Sequence, residues 1–415
     1  MTDNKKPHAL GHLRVLDLSR VLAGPWSGQI LGDLGAEVLK IEHPNGGDDT
    51  RKWGPPFLPE TPDGQKDAAY FSSGNRNKRS LAIDISTPEG AAIVRDLAKH
   101  CDIVIENFKV GGLAKYGLDY AGIQEVRPDV IYCSITGFGQ TGPYATRAGY
   151  DYLIQGMSGL MSVTGLPDGV PGGGPMRAGV AVCDLYTGMY ATVSILAALA
   201  HRDATGEGQY IDCALLDCQI AALANQTANY LASGEAPGRM GNSHPNVVPY
   251  RVYPVKDGHV IIAVGNDGQF QRMCVALDMP EEATDPRFAT ASTRIINRDP
   301  LDAVIESRLA NYSRDEIIAH LEKATVPCGP INTLADTFAD PQVQARELVV
   351  TLPRAGTEVR TVGYPAKLSK TPADYRYAPP VLGADTREVL ARVCGYDETK
   401  LDSLESAGTV GAKKA

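Results

Sequence analysis

The chain of 415 residues lacks long apolar runs and paired cysteines. No run reaches the ~18 consecutive apolar residues of a membrane-spanning helix, and no apolar core of a secretory signal follows Met1 to His8. Cysteine is scarce: eight residues are scattered without a C-x-x-C pair, which is typical of reduced thiols rather than of a disulfide framework. These absences predict a cytoplasmic protein without membrane contact.

Motifs for metals and nucleotides are also missing. The eight histidines are isolated, without an H-E-x-x-H or a His/Cys cluster at ligand spacing. A phosphate-binding G-x-x-x-x-G-K-[ST] loop is absent. Residues 137–142 spell G-x-G-x-x-G after a predicted strand, but Pro143 follows at once, and no strand ending in Asp or Glu comes at the distance that a dinucleotide site requires. We therefore expect neither a metal nor NAD.

The charge balance argues against a polyanionic macromolecule as partner. Lys and Arg number 40 against 49 Asp and Glu, so the formal net charge is −9. Nucleic acid is therefore not expected to bind. One basic cluster stands out locally, formed by Arg76, Lys78 and Arg79. It is interpreted either as a solvated turn or as a subsite for a small polyanionic ligand.

What the chain does contain is glycine, with 43 residues, and an alternation of strand and helix patterns. Short β-type runs lie at 14–18, 37–42, 80–84, 102–107, 130–135 and 210–215. Helical spacing of apolar residues fills most of the gaps between them, which predicts βαβ units, a parallel sheet and an α/β fold. The alternation of strand and helix patterns changes near residue 225. We predict a large domain over 1–200, a linker over 201–225, a small α+β domain over 226–335, and a linker returning to the large domain over 336–415, mostly irregular before a last helix at 385–393.

Asp184 is placed unusually, inside an apolar stretch and directly before the longest apolar helix pattern. One interpretation is a helix N-cap, worth ~1 kcal/mol. The other is a desolvated nucleophile that attacks an activated acyl group, since a helix N-terminus stabilises a carboxylate. Both can hold together. Gly188, one turn later, would leave room for a substrate.

Several stretches, taken in order, resemble the class III CoA-transferases, the family of formyl-CoA and carnitine-CoA transferases. They are Val15 to Pro25, Leu31 to Glu42, Asn77 to Ser80, Val104 to Phe108, Ser134 to Gly139, Tyr150-Asp151, Pro175 to Gly188, Gly329 to Asn332 and Asp340 to Val343. The resemblance covers nearly the whole chain. It implies a Rossmann-like large domain built from both chain ends, a small domain between, and an interlocked homodimer.

The resemblance also implies a mechanism and a site. Asp184 would attack an acyl-CoA thioester to give an aspartyl anhydride, and then carry CoA as an aspartyl thioester. Coenzyme A would lie against matching positions, namely Leu22, Ala23, His43, Ile83, Asn107, Phe108, Lys115, Thr136, Gly137, Phe138 and Gly139, with Arg76, Lys78 and Arg79 as cationic candidates. Gly265 and Gly268 resemble glycines that close over the intermediate.

Departures from the family pattern narrow the activity. Formyl-CoA transferases carry Gln, Arg, Arg and Lys at the positions of Leu22, His43, Lys115 and Thr136, so formyl transfer is not expected. The racemase branch has His at the position of Tyr150, so an α-methylacyl-CoA racemase is an alternative lacking one base. A non-catalytic CoA-binding protein is the other alternative.

The second half of the chain is similar to succinyl-CoA-dependent transferases that act on dicarboxylates, especially at 241–250 and 265–266. This similarity implies a CoA-transferase that moves CoA from succinyl-CoA or a similar acyl-CoA to a free dicarboxylic acid. Arg177, Arg239 or His244 could hold the distal carboxylate of the acceptor, with Tyr150 beside the substrate.

Overall fold

The computed structural model describes residues 8–62 and 64–411. Its strands in chain order are β1 (Arg14–Asp17), β2 (Glu37–Glu42), β3 (Lys78–Ala82), β4 (Ile103–Glu106), β5 (Ile131–Thr136), β6 (Tyr210–Ala214), β7 (Tyr250–Val255), β8 (Gly258–Ala263), β9 (Cys328–Gly329), β10 (Val349–Arg354) and β11 (Thr357–Val362).

The first helices are α1 (Ala23–Asp33), α2 (Ala69–Ser72), α3 (Pro88–Ala98), α4 (Tyr120–Gln124), α5 (Asp151–Met157), α6 (Leu160–Val163), α7 (Val182–Thr205), α8 (Leu215–Ala222) and α9 (Asn225–Ser233). The later ones are α10 (Asp267–Ala276), α11 (Ala291–Ile296), α12 (Arg298–Leu309), α13 (Arg314–Lys323), α14 (Leu334–Ala339), α15 (Pro341–Ala345), α16 (Thr386–Cys394) and α17 (Glu398–Ser406). Single 3₁₀ turns lie at Asp49–Lys52 and Ala114–Tyr116.

The main sheet has six strands in the order β3-β2-β1-β4-β5-β6. Each strand pairs in parallel with its neighbours. This confirms the predicted α/β fold with a parallel sheet, and the order is that of the Rossmann fold. The direction of winding reverses between β1 and β4, so the loops after these two strands diverge and leave a crevice at the sheet's carboxyl edge.

The strands are apolar because both faces of the sheet are covered. Val15 and Leu16, adjacent in β1, belong to two different core clusters, and neither is exposed to solvent. The Val15 cluster includes residues of α1 and α7, whereas the Leu16 cluster includes residues of α3 and α16. Helix α3 begins as predicted, since the Thr87 hydroxyl accepts the Gly90 N–H and Pro88 occupies the first position.

A second compact unit has an antiparallel sheet of its own, in the order β7-β8-β9. Helices α10, α12 and α13 contribute to its core, in which Tyr253, Phe270, Leu301 and Ile317 are fully buried. Helix α13 opens with the predicted capping box of Ser313 and Glu316.

The boundaries of the two units differ from the predicted ones. The first unit comprises residues up to 160, 177–235 and 347 onward, and the second comprises 161–176 and 236–346. The predicted linker at 201–225 instead contains the end of α7, all of β6 and all of α8. Strand β6 pairs with β5 from Tyr210 to Ala214, so this segment completes the main sheet.

The last 70 residues are more regular than predicted. They contain the antiparallel hairpin β10–β11 and two helices. Val389 and Leu390 of α16 and Leu401 of α17 are buried in the same core cluster as Leu16. The prolines of this segment therefore interrupt the regular elements without preventing them.

Helix α7 is long and apolar enough, by length and composition, to cross a membrane. Half of its apolar window is buried inside the protein, and Ala191 and Ile195 lie in the core with strand β5. Length and composition alone are weak grounds for a membrane span.

Candidate active site

A cavity of about 180 Å³ lies where the loops after three parallel strands meet. Leu22 follows β1, Asn107 follows β4, and Thr136 ends β5; all three line the cavity. Because β1 and β4 flank the reversal of strand order, this is the crevice in which α/β sheets commonly bind ligands.

Asp184 lines the same cavity from the first turn of α7. Burial, and to a smaller extent the negative charge of Asp151, raise the pKa of Asp184 to about 7. No hydrogen bond to its carboxylate is present among residues 8–62 and 64–411. The group is therefore a half-buried carboxyl that ionises near neutral pH and can attack or accept a proton.

The N-cap interpretation of Asp184 is wrong. The N-cap residue of α7 is Ala181, whose side chain cannot cap, and Asp184 is the third residue of the helix. Instead, the Asp151 carboxylate accepts the backbone N–H groups of Cys183 at 2.8 Å and Asp184 at 3.4 Å. These are the donors that an N-cap side chain would satisfy. The Asp184 carboxylate is therefore not needed to cap the helix.

Gly188 serves helix packing rather than substrate room. A Cβ at this position would lie 2.7 Å from the Ala23 carbonyl oxygen and 3.1 Å from Trp26. The glycine therefore lets α7 approach the first turn of α1 closely. This contact holds Asp184 beside the loop that follows β1.

Several positions with an implied CoA contact line the cavity. They are Leu22, Ala23, Asn107, Phe108, Thr136 and Gly137, together with the proposed substrate neighbour Tyr150. A second cavity of about 130 Å³ shares Phe108 and is lined by His43 and Ile83. Most of these residues thus come from the carboxyl ends of strands β1 to β5.

Other implied contacts lie elsewhere. Lys115 is exposed, with its ammonium 4.6 Å from the centre of its neighbour Tyr116. Phe138 is buried in the core, edge-on to Tyr144. The Gly139 N–H donates to the Thr136 hydroxyl at 2.9 Å, and φ of +85° explains the glycine. None of the three lines the cavity that contains Asp184.

The basic cluster needs a correction, because Arg76 and Lys78 are buried in ion pairs. Arg76 Nε donates to Asp33 at 2.9 Å, and Lys78 Nζ donates to Asp17 at 2.8 Å. A charge inside the protein requires a partner, and each of these has one. They are therefore structural cations and do not face a ligand.

Arg79 is also committed to ion pairs. Its Nε lies 2.9 Å from Asp385, and its guanidinium also contacts Glu388. It links β3 to the start of α16, far along the chain. Neither interpretation of the cluster is therefore correct, since a solvated turn would leave these three charges in water.

The candidate acceptor residues fall in both units. Arg177 is exposed, with its guanidinium 5.7 Å from the Tyr152 ring centre. In the second unit, Arg239 pairs with Asp168 and donates to the Leu166 carbonyl. His244 Nδ1 accepts the Asn246 N–H, and burial together with the charge of Arg298 lowers the pKa of His244.

The two candidate loop glycines of the second unit lie at the start of α10. The Gly265 N–H donates to Gln269 Oε1 at 2.7 Å, and Gly268 belongs to the first turn. A Cβ at Gly265 would meet only that amide, at 3.4 Å. Close packing therefore does not require glycine there.

Three cations of the cavity wall were not predicted from the sequence: Arg20, Lys109 and Arg147. The Arg147 guanidinium lies 4.5 Å from the centre of the Tyr144 ring and 5.2 Å from that of Phe138. Arg20 is 3.7 Å from Asp49. Arg20 and Lys109 closely follow the ends of β1 and β4, which was a usable signal because parallel strands bring such residues to one edge of the sheet. Arg147 lies far along the loop after β5, so its position carried no such signal.

The described part of the chain contains no group of three or more His, Cys, Asp and Glu residues that could hold a metal ion. The cavity is lined by the Asp184 carboxyl and by the cationic side chains of Arg20, Lys109 and Arg147. A cavity at the carboxyl edge of a parallel sheet, with a carboxyl of raised pKa and several cations in its wall, is the arrangement of an α/β enzyme that binds an anionic ligand.

Comparison with known proteins gives the family. A model of CoA-transferase family III matches residues 10–386. The chain is 53% identical to the succinate–glutarate CoA-transferase of Agrobacterium fabrum, over 96% of this chain and 99% of that protein. It is 42% identical to the succinyl-CoA:glutarate CoA-transferase of Mus musculus, over 98% and 91%. A CaiB/BaiF family protein from Brucella suis has a similar structure, with a TM-score of 0.81 and 50% identity over 93% and 99%.

The chain therefore belongs to CoA-transferase family III. It is a CoA-transferase, and its substrates include CoA thioesters.

Proposed function

We propose that the protein transfers CoA from succinyl-CoA to a free dicarboxylate, with Asp184 as the nucleophile. The observation that carries this proposal is the Asp184 carboxylate, which lines the strand-end cavity with a pKa raised to about 7 and no hydrogen-bond donor among the described residues. The names of two relatives support these substrates, since one pairs succinate with glutarate and the other pairs succinyl-CoA with glutarate.

The reaction begins when an Asp184 oxygen attacks the thioester carbon of succinyl-CoA. The C–S bond breaks, CoA leaves as a thiolate, and a succinyl–aspartyl anhydride forms. The thiolate then attacks the aspartyl carbonyl, which releases succinate and leaves an aspartyl-CoA thioester.

The second half runs the same steps in reverse with the new acid. The acceptor carboxylate attacks the aspartyl thioester and expels CoA thiolate, which gives an acyl–aspartyl anhydride. The thiolate attacks the acyl carbonyl, so the new acyl-CoA leaves and the Asp184 carboxylate is regenerated. Each step exchanges one acyl bond for another, and no redox partner is needed.

The cations of the cavity wall suit this substrate pair. Arg147 has no acidic partner among the described residues, and two aromatic rings orient its guanidinium. A planar guanidinium pairs well with a carboxylate or a phosphate oxygen. Either the CoA phosphates or the distal carboxylate of the acid would satisfy it.

The test is to trap the intermediate. The protein is incubated with succinyl-CoA and no acceptor, treated with hydroxylamine and digested for mass spectrometry. We expect a hydroxamate on Asp184. Glu106 is the internal control, because burial raises the pKa of Glu106 to about 7 as well, yet it lies outside the Asp184 cavity and must stay unlabelled. Absence of the adduct, or full turnover by Asp184→Ala, would overturn the proposal.

The acceptor class is tested separately with a panel of acids. We expect CoA transfer to glutarate and to acids of similar length with two carboxyl groups, and at least tenfold slower transfer to the monocarboxylate of equal length. Exchange of the α-hydrogen of an acyl-CoA in deuterated water, without any acceptor, would instead favour the racemase alternative.

We also propose that the enzyme works as an interlocked homodimer. Helix α7 carries a stripe of exposed apolar side chains at Tyr186, Met189, Tyr190 and Val193, the last of which is 59% exposed. This i, i+3, i+4, i+7 spacing forms one face of a helix, and such a face is commonly covered by another protein surface. Sedimentation should give a dimer, and Val193→Glu should weaken it; a monomer at micromolar concentration would contradict the proposal.

A reducing compartment such as the cytoplasm remains our proposal for the location. All eight cysteines are free thiols, which supports it. Fluorescence microscopy of the tagged protein in its own cell would test this.

A further inference from the structure

We propose that Asp151 is a positioning residue for the reaction, because it caps α7 in place of a local side chain and so leaves Asp184 free to act. The inference rests on the proposed function of Asp184. It adds a role for a second carboxylate, which holds the backbone that carries the nucleophile without touching the substrate itself.

The first oxygen of Asp151 does the capping. Oδ1 accepts the Cys183 N–H at 2.8 Å and the Asp184 N–H at 3.4 Å. Asp151 is the first residue of α5, 32 positions before Cys183. Asp151 therefore supplies, from a distant element, the hydrogen-bond acceptor that an N-cap side chain would supply locally. It also fixes the position of Asp184 by binding the backbone N–H of that residue.

The second oxygen of Asp151 is held in turn by Gln155, one turn later in α5. Gln155 Nε2 donates to Asp151 Oδ2 at 2.7 Å and to the Val180 carbonyl at 3.2 Å. Gln155 Oε1 accepts the Ala178 N–H at 2.9 Å. Gln155 is fully buried, and its two hydrogen bonds to Val180 and Ala178 tie the segment before α7 to α5.

The two carboxylates therefore have different roles: Asp151 caps the helix, and Asp184 is left free to react. If Asp184 had to satisfy the first N–H groups itself, its oxygens would be stabilised as hydrogen-bond acceptors and would be weaker nucleophiles. Asp151 takes these donors instead. Its charge also opposes ionisation of Asp184, which makes the released carboxylate more basic.

Other ionisable groups also face Asp184. Tyr70 approaches from α2 and Cys183 from the same turn, and the cavity wall contributes Arg20, Asp49, Lys109, Arg147 and Tyr150. Besides burial, Asp151 is the neighbour whose charge raises the pKa of Asp184. A variant that removes this charge should therefore be visible in the pH profile.

The experiment compares Asp151→Asn and Asp151→Ala in the full-length protein. Both variants remove the charge, but only Asn keeps an oxygen that can accept the Cys183 N–H. The rate of acylation by succinyl-CoA is measured from pH 5 to pH 9 by hydroxylamine trapping. Hydrogen exchange at the start of α7 is measured in parallel and requires no turnover.

We expect the midpoint of the pH profile to fall by about one pH unit in both variants, since a like charge is gone. The plateau rate should fall roughly tenfold to a hundredfold in Asp151→Ala, because the nucleophile is no longer held in place. In Asp151→Asn it should fall only severalfold, because the new amide nitrogen opposes the Gln155 amide. Exchange at Cys183 and Asp184 should be fastest in Asp151→Ala.

Asp299→Asn is the matched control, since it removes an exposed charge from the first turn of α12 in the other unit. It should behave as the unmodified protein does. An unchanged midpoint in both Asp151 variants, or unchanged exchange in Asp151→Ala, would overturn the inference. Absence of any Asp184 adduct in the unmodified protein would instead overturn the proposed function, while the exchange data would still decide the capping role.

Discussion

Asp17 is fully buried and Asp184 is half-buried, yet the pKa values of the two carboxyl groups shift in opposite directions. Asp17 ends β1 with no solvent exposure, and its carboxylate accepts from Lys78 at 2.8 Å and from the Ser19 hydroxyl. Burial alone would raise the pKa of Asp17, but the charges of Lys78 and Lys40 outweigh it and lower the pKa. Asp184 has no such cation, and its pKa is raised to about 7.

The difference shows what a partner does for a buried charge. A paired carboxylate is held in its ionised form and contributes to the stability of the fold, whereas an unpaired one is not stabilised by a cation and remains available for chemistry. The paired group belongs to a larger buried network in which Lys40 contacts Asp48 and Arg51 contacts Glu42. This network stabilises the strand ends around the cavity, whereas burial and the charge of Asp151 raise the pKa of Asp184 inside it.

Of these substitutions, Asp17→Asn should have the largest effect on the free energy of unfolding, because it removes the paired carboxylate. It leaves Lys78 buried without its carboxylate, so we expect a loss of about 3 to 5 kcal/mol in the free energy of unfolding. Urea denaturation followed by tryptophan fluorescence measures it, because Trp26 and Trp53 both lie in the first unit. The exposed Asp217→Asn is the control; an equally small loss in both variants would show that the buried pair contributes little.

Asp184→Asn should instead increase the stability of the folded protein. Folding raises the pKa of Asp184, so the folded state binds a proton more tightly and loses stability as the pH rises from about 4 to about 7. Removing the charge should therefore stabilise the protein by about 1 to 3 kcal/mol at pH 8 and by almost nothing at pH 4. Thermal denaturation at the two pH values measures this, and a destabilised variant at pH 8 would contradict it.

The pH dependence of acylation should show the same ionisation. With a pKa of about 7, the reactive carboxylate fraction rises about tenfold between pH 6 and pH 8. Single-turnover rates with succinyl-CoA should follow that rise. A rate that is flat from pH 5 to pH 8 would mean that Asp184 ionises like an ordinary exposed aspartate.

Arg79→Gln should have the smallest effect, because its ion pairs are partly exposed. The side chain is 20% exposed and the Glu388 side chain 49%. Such pairs contribute less than about 1 kcal/mol, so the unfolding free energy should fall by that amount or less, and less again in 1 M salt. A loss comparable with that of Asp17→Asn would show that exposure does not separate the two kinds of pair.

The main sheet could be predicted from the sequence because its strands contain short apolar runs, most of whose residues are buried. Strand β2 was predicted over the same residues that form it, Glu37–Glu42. The hairpin β10–β11 was missed, since Pro353 and Arg354 interrupt its pattern. Arg354 is buried because it contacts Asp67, 287 positions away, and no local pattern reports such a partner.

The same limit applied to the site. Asp184 could be singled out because a carboxylate in an apolar stretch before a helix is locally visible. The basic cluster misled because Arg76 and Lys78 find Asp33 and Asp17 at separations of 43 and 61 residues. Local sequence gives the charge of a side chain, whereas only the fold decides whether that charge meets a substrate or a counter-ion.

The cap that α7 borrows from α5 has a consequence for the unfolded chain. A growing or denatured polypeptide contains Asp184 as an ordinary aspartate in water, about three pH units more acidic than in the folded protein. The raised pKa exists only in the folded protein, where burial and the charge of Asp151 act on Asp184. On the proposed mechanism, the unfolded chain would therefore not react with acyl-CoA through this residue, and acylation of Asp184 would report that the tertiary structure is complete.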